Sequence, residues 1–306
     1  MVAQGVCQGA CLDRELAQGY SHQMARPIRL EFPDAVYHVT SHGDGGADIF
    51  VDDQDRQLFL TVLGEVVSRA GWIVHAYVLM DNHFHILLET PNGNLSRGMR
   101  QLNGVYTQRF NSVHGSGGRV FQGRFKAVLL ERDHALLDLC RYAVLNPLRL
   151  KAVKNISRYR WSSYRATAGE VQAPAWLSTG WILAHFGRSS SVAQRKYAEF
   201  VEAGIGLPSP LSKVKSQILL GSAAFVKKMK QRLLSKVDLK RNQKKPKRPA
   251  LSSVFPLKIR KDKSLRNVAI KRAYQEYGYT MAEIADAVQI HFSTVSKVIK
   301  MGEQAS

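Results

Sequence analysis

Two histidines one residue apart, His83 and His85, stand in Tyr77-Val-Leu-Met-Asp81-Asn82-His83-Phe84-His85-Ile-Leu-Leu-Glu89, an otherwise hydrophobic run. In an extended strand the side-chain period is two, so both imidazoles leave one face while Phe84 and Ile86 leave the other. Imidazole is the commonest metal ligand in proteins, and a pair held by a strand takes a divalent ion when oxygen ligands complete the shell. A His-x-His pair also occurs in cores and on surfaces that hold no metal, so the spacing leaves both readings open. A second pair lies in Leu136-Leu-Asp-Leu-Cys-Arg-Tyr142-Ala-Val-Leu-Asn146-Pro147. Tyr142 and Asn146 are four apart, which puts them on one helix face. By default such a tyrosine packs in a core with its hydroxyl hydrogen-bonded, and an asparagine ahead of proline caps a helix end. The chemical alternative is a phenolic nucleophile beside an amide oxygen that completes a two-histidine metal shell.

The elements that must position these groups follow from pattern. Ala35-Val-Tyr-His-Val-Thr40 is a β-branched and aromatic first strand, in which His38 reads as a core or hydrogen-bonded histidine. Gly43-Asp-Gly-Gly46 breaks it. Asp52 or Asp53 caps a helix in which Phe59, Leu63 and Val66 or Val67 recur at helical spacing to about Ala70. Trp72 to Met80 is a second strand, and Asp81-Asn82 makes a tight hairpin into the histidine strand. Leu95, Met99, Leu102, Tyr106 and Phe110 mark one apolar helix face, with Arg97, Arg100 and Arg109 elsewhere on the helix. Val120 to Leu130 is a further strand with Arg124 and Lys126 on one face, after which Asp133 caps the helix of Tyr142 and Pro147 ends it.

Composition narrows the class. The 306 residues are 45% hydrophobic, enough for a folded core, and Lys+Arg 44 against Asp+Glu 24 gives a net charge of +20. The excess is uneven: from Leu211 onward there are 22 basic and 6 acidic residues, net +16, which leaves net +4 for the rest. A nearly balanced front and a strongly basic end point to a folded catalytic or scaffold domain joined to a polyanion-binding extension. Three cysteines, Cys7, Cys11 and Cys140, are too few for a disulfide framework and point to a reducing compartment. No apolar run approaches the ~20 residues of a membrane span. Met1 to Gln23 lacks the pattern of a signal peptide and reads as a disordered extension, residues 1–23.

The basic end has its own organisation. Lys236 to Arg248 holds seven basic residues and Pro246, a solvated linker or a phosphate-tracking arm. Ser264 caps a helix to about Tyr277, Gly278 stops it, and Thr280-Met-Ala-Glu283 is a capping box that opens another helix. A short turn then leads to a helix with polar Ser293, Thr294, Ser296 and Lys297. The pattern is that of a helix-turn-helix, with small Ala285 at the crossing and the polar residues facing a major groove. Gln289 stands where such motifs usually have glycine, and a plain helical hairpin is the alternative.

Several ordered stretches carry a family resemblance: Met24-Ala-Arg-Pro, Glu31-Phe-Pro, Tyr37-His-Val-Thr-Ser41, His75-Ala-Tyr-Val-Leu-Met, Asn82-His-Phe-His85, Asn94-Leu-Ser-Arg-Gly-Met-Arg-Gln-Leu-Asn103, Phe121-Gln-Gly-Arg-Phe-Lys126, Arg141-Tyr-Ala-Val-Leu-Asn-Pro147 and Trp161-Ser-Ser-Tyr-Arg165. From about Met24 to about Gly206 the chain resembles the single-tyrosine HUH transposases, above all the group associated with repetitive extragenic palindromes in bacteria. The resemblance implies an α+β fold, a ferredoxin-like antiparallel sheet with helices on one face. It implies that His83, His85 and Asn146 hold Mg²⁺ or Mn²⁺ and that Tyr142 is the nucleophile. The reaction would be cleavage and rejoining of single-stranded, hairpin-forming DNA through a 5′-phosphotyrosine, in a bacterial cytoplasm at the nucleoid. Candidate DNA contacts are Arg124, Lys126 and Arg141 in the front domain and Ser293, Thr294 and Lys297 in the C-terminal one, which would take duplex DNA. The protein would act as a monomer or homodimer.

The domains expected are a catalytic domain over residues 24–150, a helical extension over 151–210, a basic linker over 211–263 and a helix-turn-helix over 264–301. Three residues depart from the family pattern: His42 and Asp44 after the first strand, where relatives have arginine and asparagine, and Asp81 before the histidines, where they often have proline. An acidic residue at the first loop would repel phosphate. Other readings are a sequence-specific DNA-binding regulator with a vestigial HUH site, and a metal-dependent phosphoesterase that merely shares His-x-His.

Overall fold

β1 (Ala35–His42), β2 (Ile73–Met80) and β3 (His83–Thr90) are buried on both faces along most of their length, which is why they read as near-continuous hydrophobic runs. The computed structural model describes residues 30–242 and 248–303, so the extension expected at residues 1–23, with Cys7 and Cys11, lies outside the described residues. The chain divides into two compact units, Met1–Leu234 and Ser235–Ser306.

In the first unit a five-stranded sheet has the order β2-β3-β1-β4-β5, where β4 is Lys126–Leu130 and β5 is Leu219–Leu220. The four longer strands are antiparallel, as expected, and β5 adds a parallel edge that makes the sheet mixed. β2 and β3 meet through the two-residue loop Asp81-Asn82, with Met80 opposite His83. That loop is pinned by its neighbours: the Asp81 carbonyl accepts from Ile49 and Phe50, and the Asn82 carbonyl accepts from Gly43.

Period two sorts the side chains. Tyr37, Val39, Phe84, Ile86 and Leu88 enter a core shared with α1 (Asp53–Ala70) and α2 (Leu95–Val113), the helical layer expected on one face. Val36, Ala76, Val78, Leu87 and Leu130 enter a second core on the other face, closed by α3 (Arg132–Val144) and by α4 (Ser190–Glu202), so helices cover both faces of the sheet and not only the one expected. The Asp52 carboxylate caps α1 by accepting from the Asp55 amide at 3.0 Å, and Gly71, at φ 66°, ends it in the left-handed conformation. α2 sits so close to Trp72 that a Cβ on Gly98 would fall 2.1 Å from the indole ring, so only glycine fits there.

Three local expectations are corrected. The strand expected over Val120 to Leu130 begins only at Lys126; Phe121 makes one isolated bridge to Gly43, and Gly123 at φ 64° breaks the extended run. α3 starts after Glu131, with Asp133 inside its first turn rather than at the cap. Pro147 does not stop the chain's helical course: α3 ends at Val144, and Asn146–Arg149 form a further helical turn with Pro147 in its first turn, where a missing N–H costs nothing. Folded elements also occupy the span read as a basic linker, namely β5 and α5 (Ala223–Asn242), whose Val226 and Met229 join the first core.

The second unit contains α6 (Lys263–Gln275), α7 (Met281–Val288) and α8 (Phe292–Glu303) around Phe255, Ile270, Ala273, Ile284, Ala285, Val288, Val295 and Ile299. Asp262 rather than Ser264 caps α6, accepting from the amides of Ser264 and Leu265. The Thr280/Glu283 capping box forms, and Gln289 takes the left-handed conformation at φ 54° that glycine would otherwise supply.

Candidate metal and nucleophile site

His83 and His85 project from β3 toward α3, on the face opposite Phe84 and Ile86. Thr40 pairs with His85 and His42 with His83 across the β1–β3 ladder, so His38, Thr40 and His42 share that face. Each ligand candidate is held through Nδ1. Asn82 Oδ1 lies 2.7 Å from His83 Nδ1, and His38 Nε2 lies 2.8 Å from His85 Nδ1. An amide oxygen only accepts, so His83 donates from Nδ1 and keeps its lone pair on Nε2. The Nε2 atoms of both histidines are buried and have no hydrogen-bond partner among the described residues.

Burial dominates the electrostatics. His83 is pushed down to about 3 and His85 well below the ordinary histidine value, burial acting first and neighbouring imidazoles second. His38 and His42 are each pushed down to about 4, by burial and then by His42 and Lys126 respectively. At neutral pH all four rings are therefore uncharged, which is the form that ligates a metal.

α3 brings the tyrosine. The Tyr142 ring stands edge-on to His85, 6.4 Å between centroids and 85° between planes, and the Arg149 guanidinium lies over it at 4.9 Å. Asn146 is buried, and its Nδ2 donates to the carbonyls of Tyr142 at 3.1 Å and Ala143 at 3.3 Å. Asn146 thus caps the end of α3, and the same bonds turn its Oδ1 away from those carbonyls. Its two sequence-based readings are compatible. Among the described residues no group of three or more His, Cys, Asp or Glu side chains could hold a metal.

The other candidates are dispersed. Lys126, the first residue of β4, and Arg124, two residues ahead of it, are exposed. Arg141 is committed elsewhere, with Nη2 2.9 Å from Asp138 and its guanidinium 4.2 Å from the Phe200 ring centroid. Ser293, Thr294 and Lys297 are exposed on α8 in the second unit. The two acidic departures carry arginine partners: Asp81 pairs with Arg56, and Asp44 lies 3.9 Å from Arg119. His42 stacks on His83 at 5.1 Å.

One positioning cluster escaped the sequence. Glu89, at the far end of β3, accepts from Arg132 at 2.8 Å and lies 3.1 Å from His75 Nε2; Glu89 and His75 are buried, and Arg132 is partly exposed. Arg132 opens α3, so this cluster ties the tyrosine helix to the histidine strand. Its members are far apart in sequence, and only the alternation of β3, which puts Glu89 on the face of His83 and His85, hinted at it.

Residues 32–143 match the family described as "Transposase IS200 like", a span that includes His83, His85 and Tyr142 and stops short of Asn146. None of the curated proteins matches the chain. Among solved structures, a tyrosine transposase bound to a REP hairpin is 16% identical, with 51% of this chain and 92% of that one covered at a TM-score of 0.41. A protein of Deinococcus radiodurans R1 assigned provisionally as a transposase is 18% identical, with 35% and 85% covered and a TM-score of 0.27. The tRNA(His) guanylyltransferase of Saccharomyces cerevisiae is 10% identical, with 66% and 96% covered and a TM-score of 0.30.

Proposed function

We propose that this chain, whose residues 32–143 belong to the IS200-like transposase family, cuts and rejoins single-stranded DNA through a 5′-phosphotyrosine at Tyr142. The observation that carries the reading is the pair of buried, unpartnered Nε2 atoms of His83 and His85, with the His85 ring against that of Tyr142. Buried polar atoms are nearly always satisfied in folded proteins, and two orphans side by side on one strand face fit a bound ion. His83, His85 and the Oδ1 of Asn146 would hold Mg²⁺ or Mn²⁺. When bound, the ion polarises a phosphoryl oxygen and orients the scissile phosphate. All three donors are neutral, so none of its charge is cancelled by the protein, and the imidazole pair suits Mn²⁺ at least as well as Mg²⁺.

Tyr142 attacks in line. Its oxygen bonds to phosphorus as the bond from phosphorus to O3′ breaks; the phenol gives up its proton, and the departing 3′ oxygen takes one to leave as a hydroxyl. The ester conserves the phosphodiester bond, so another 3′-hydroxyl reverses the step without nucleotide hydrolysis. The substrate we propose is hairpin-forming, palindromic DNA, with Arg124 and Lys126 meeting its backbone. α7 and α8 act as a helix-turn-helix on duplex DNA, presenting Ser293, Thr294 and Lys297 to the major groove.

The test is incubation of the full chain with Mn²⁺ and a panel of single-stranded hairpin oligonucleotides, followed by denaturing electrophoresis. A band shifted by the mass of the 5′-linked fragment is expected. Tight binding to the same oligonucleotides with no covalent band at any metal concentration would favour a DNA-binding regulator instead.

A further inference from the structure

The two metal-facing histidines are held differently, and the difference singles out His38. Asn82 fixes the tautomer of His83 from the first residue beside it, on the surface of the hairpin. His85 depends on a group 47 positions away on a neighbouring strand, His38 Nε2 at 2.8 Å. The two rings are nearly coplanar, 4° apart with centroids 5.0 Å apart. Coplanar rings whose nitrogens approach this closely are joined edge to edge by a hydrogen bond, not stacked face to face. His38 is 2% exposed, and its Nδ1 has no hydrogen-bond partner among the described residues. An apolar side chain would fill that place without leaving an unsatisfied nitrogen, so packing alone does not account for a histidine there.

We infer that His38 is a positioning residue for the metal centre: its Nε2 accepts the Nδ1 proton of His85, so that His85 turns an unprotonated Nε2 toward the ion. The inference rests on the reading of His83 and His85 as metal ligands. The bond leaves His85 one productive tautomer and one ring orientation, and it makes the ring a stronger donor. The opposite arrangement, with His38 donating, would place a proton on His85 Nε2 and block the site.

The test is Mn²⁺ binding by calorimetry on the full chain, without DNA, for the wild type, His83→Ala, His38→Phe and His38→Gln. Glutamine keeps an acceptor near the place of the histidine Nε2, whereas phenylalanine keeps the planar ring and removes the acceptor. The expected result is saturable binding by the wild type, loss in His83→Ala, about 10- to 100-fold weaker binding in His38→Phe, and recovery of most of the affinity in His38→Gln. Wild-type affinity in His38→Phe, or equal weakening in both His38 variants, would overturn the role of His38 while the metal site stands. Absence of Mn²⁺ binding by the wild type would overturn the metal site and this inference with it. Long-range ¹⁵N–¹H correlation of the metal-free wild type gives a second readout that needs no variant: an Nδ1-protonated His85 is expected, and an Nε2-protonated ring contradicts the inference.

Discussion

The His85 and Tyr142 rings meet edge to face, 6.4 Å between centroids, although they come from a strand and a helix 57 residues apart. The contact holds because β3 offers His85 on the face that α3 covers, and because Arg132 at the start of α3 is bonded to Glu89 on the same strand. The proposed ligand and the proposed nucleophile thus share one rigid interface rather than a loop, as positioning to within a fraction of an ångström requires.

Removing ligands should separate their roles by metal dependence. His83→Ala or His85→Ala is expected to abolish DNA cleavage at millimolar Mn²⁺ or to raise the metal required by at least about 100-fold, since each removes one of the three proposed donors. Asn146→Ala should raise it less. A metal titration of cleavage for the three variants checks the order, and identical curves would refute it.

Acid should destabilise the first unit, and the sign follows from the histidines. The folded values of His38 and His42 are depressed to about 4, and that of His83 to about 3. The unfolded chain titrates near the ordinary value, so between about pH 6.5 and pH 4 it binds more protons than the folded one. Stability is therefore flat above about pH 6.5 and falls as pH drops through that window. The loss at pH 5 is on the order of 2 kcal/mol for one such histidine, with less than full additivity among neighbours. Urea denaturation at pH 7.5, 6 and 5 measures it, and His42→Phe should flatten the slope.

Duplex affinity should reside mainly in the basic end. A chain ending at Gly206 would lose β5 together with Val226 and Met229 of the first core, so the division belongs after Leu234, where the first unit ends. Residues 1–234 are expected to cut a single-stranded hairpin while losing most affinity for duplex DNA. Full-length binding should weaken steeply between 50 and 200 mM salt, a fall of about 10³-fold or more if six or more phosphates are neutralised. Equal duplex affinity of the two chains at one salt concentration would contradict the helix-turn-helix role of α7 and α8.

Much of this was legible in the sequence because its signals are local. The His83/His85 pair, the Asp81-Asn82 hairpin, the α2 stripe and the Thr280/Glu283 box depend on spacings of two to four residues, and period or capping reads them directly. The start of β4 was not, because Gly123 looks like any glycine until its φ is seen. The continuation past Pro147 was not, because proline stops a helix but also opens one. The folding of β5 and α5 onto the first unit was hidden by a lysine-rich composition that suits both a solvated linker and the outer face of a helix. The partner of His38 and the Glu89, Arg132 and His75 cluster were beyond reach, since strand register and helix docking decide them. The arginine partners of Asp44 and Asp81 were also out of reach, since neither is near in sequence.

The central claim is that Tyr142 becomes joined to DNA. Full-length protein incubated with Mn²⁺ and a cleavable single-stranded hairpin should yield a denaturation-resistant adduct, and mass spectrometry of its nuclease-trimmed peptides should place a nucleotide on Tyr142. Tyr142→Phe removes one hydroxyl from a buried ring, so it should leave oligonucleotide binding nearly unchanged and give no adduct. An adduct of undiminished yield in Tyr142→Phe, or one mapped to another residue, would contradict the account.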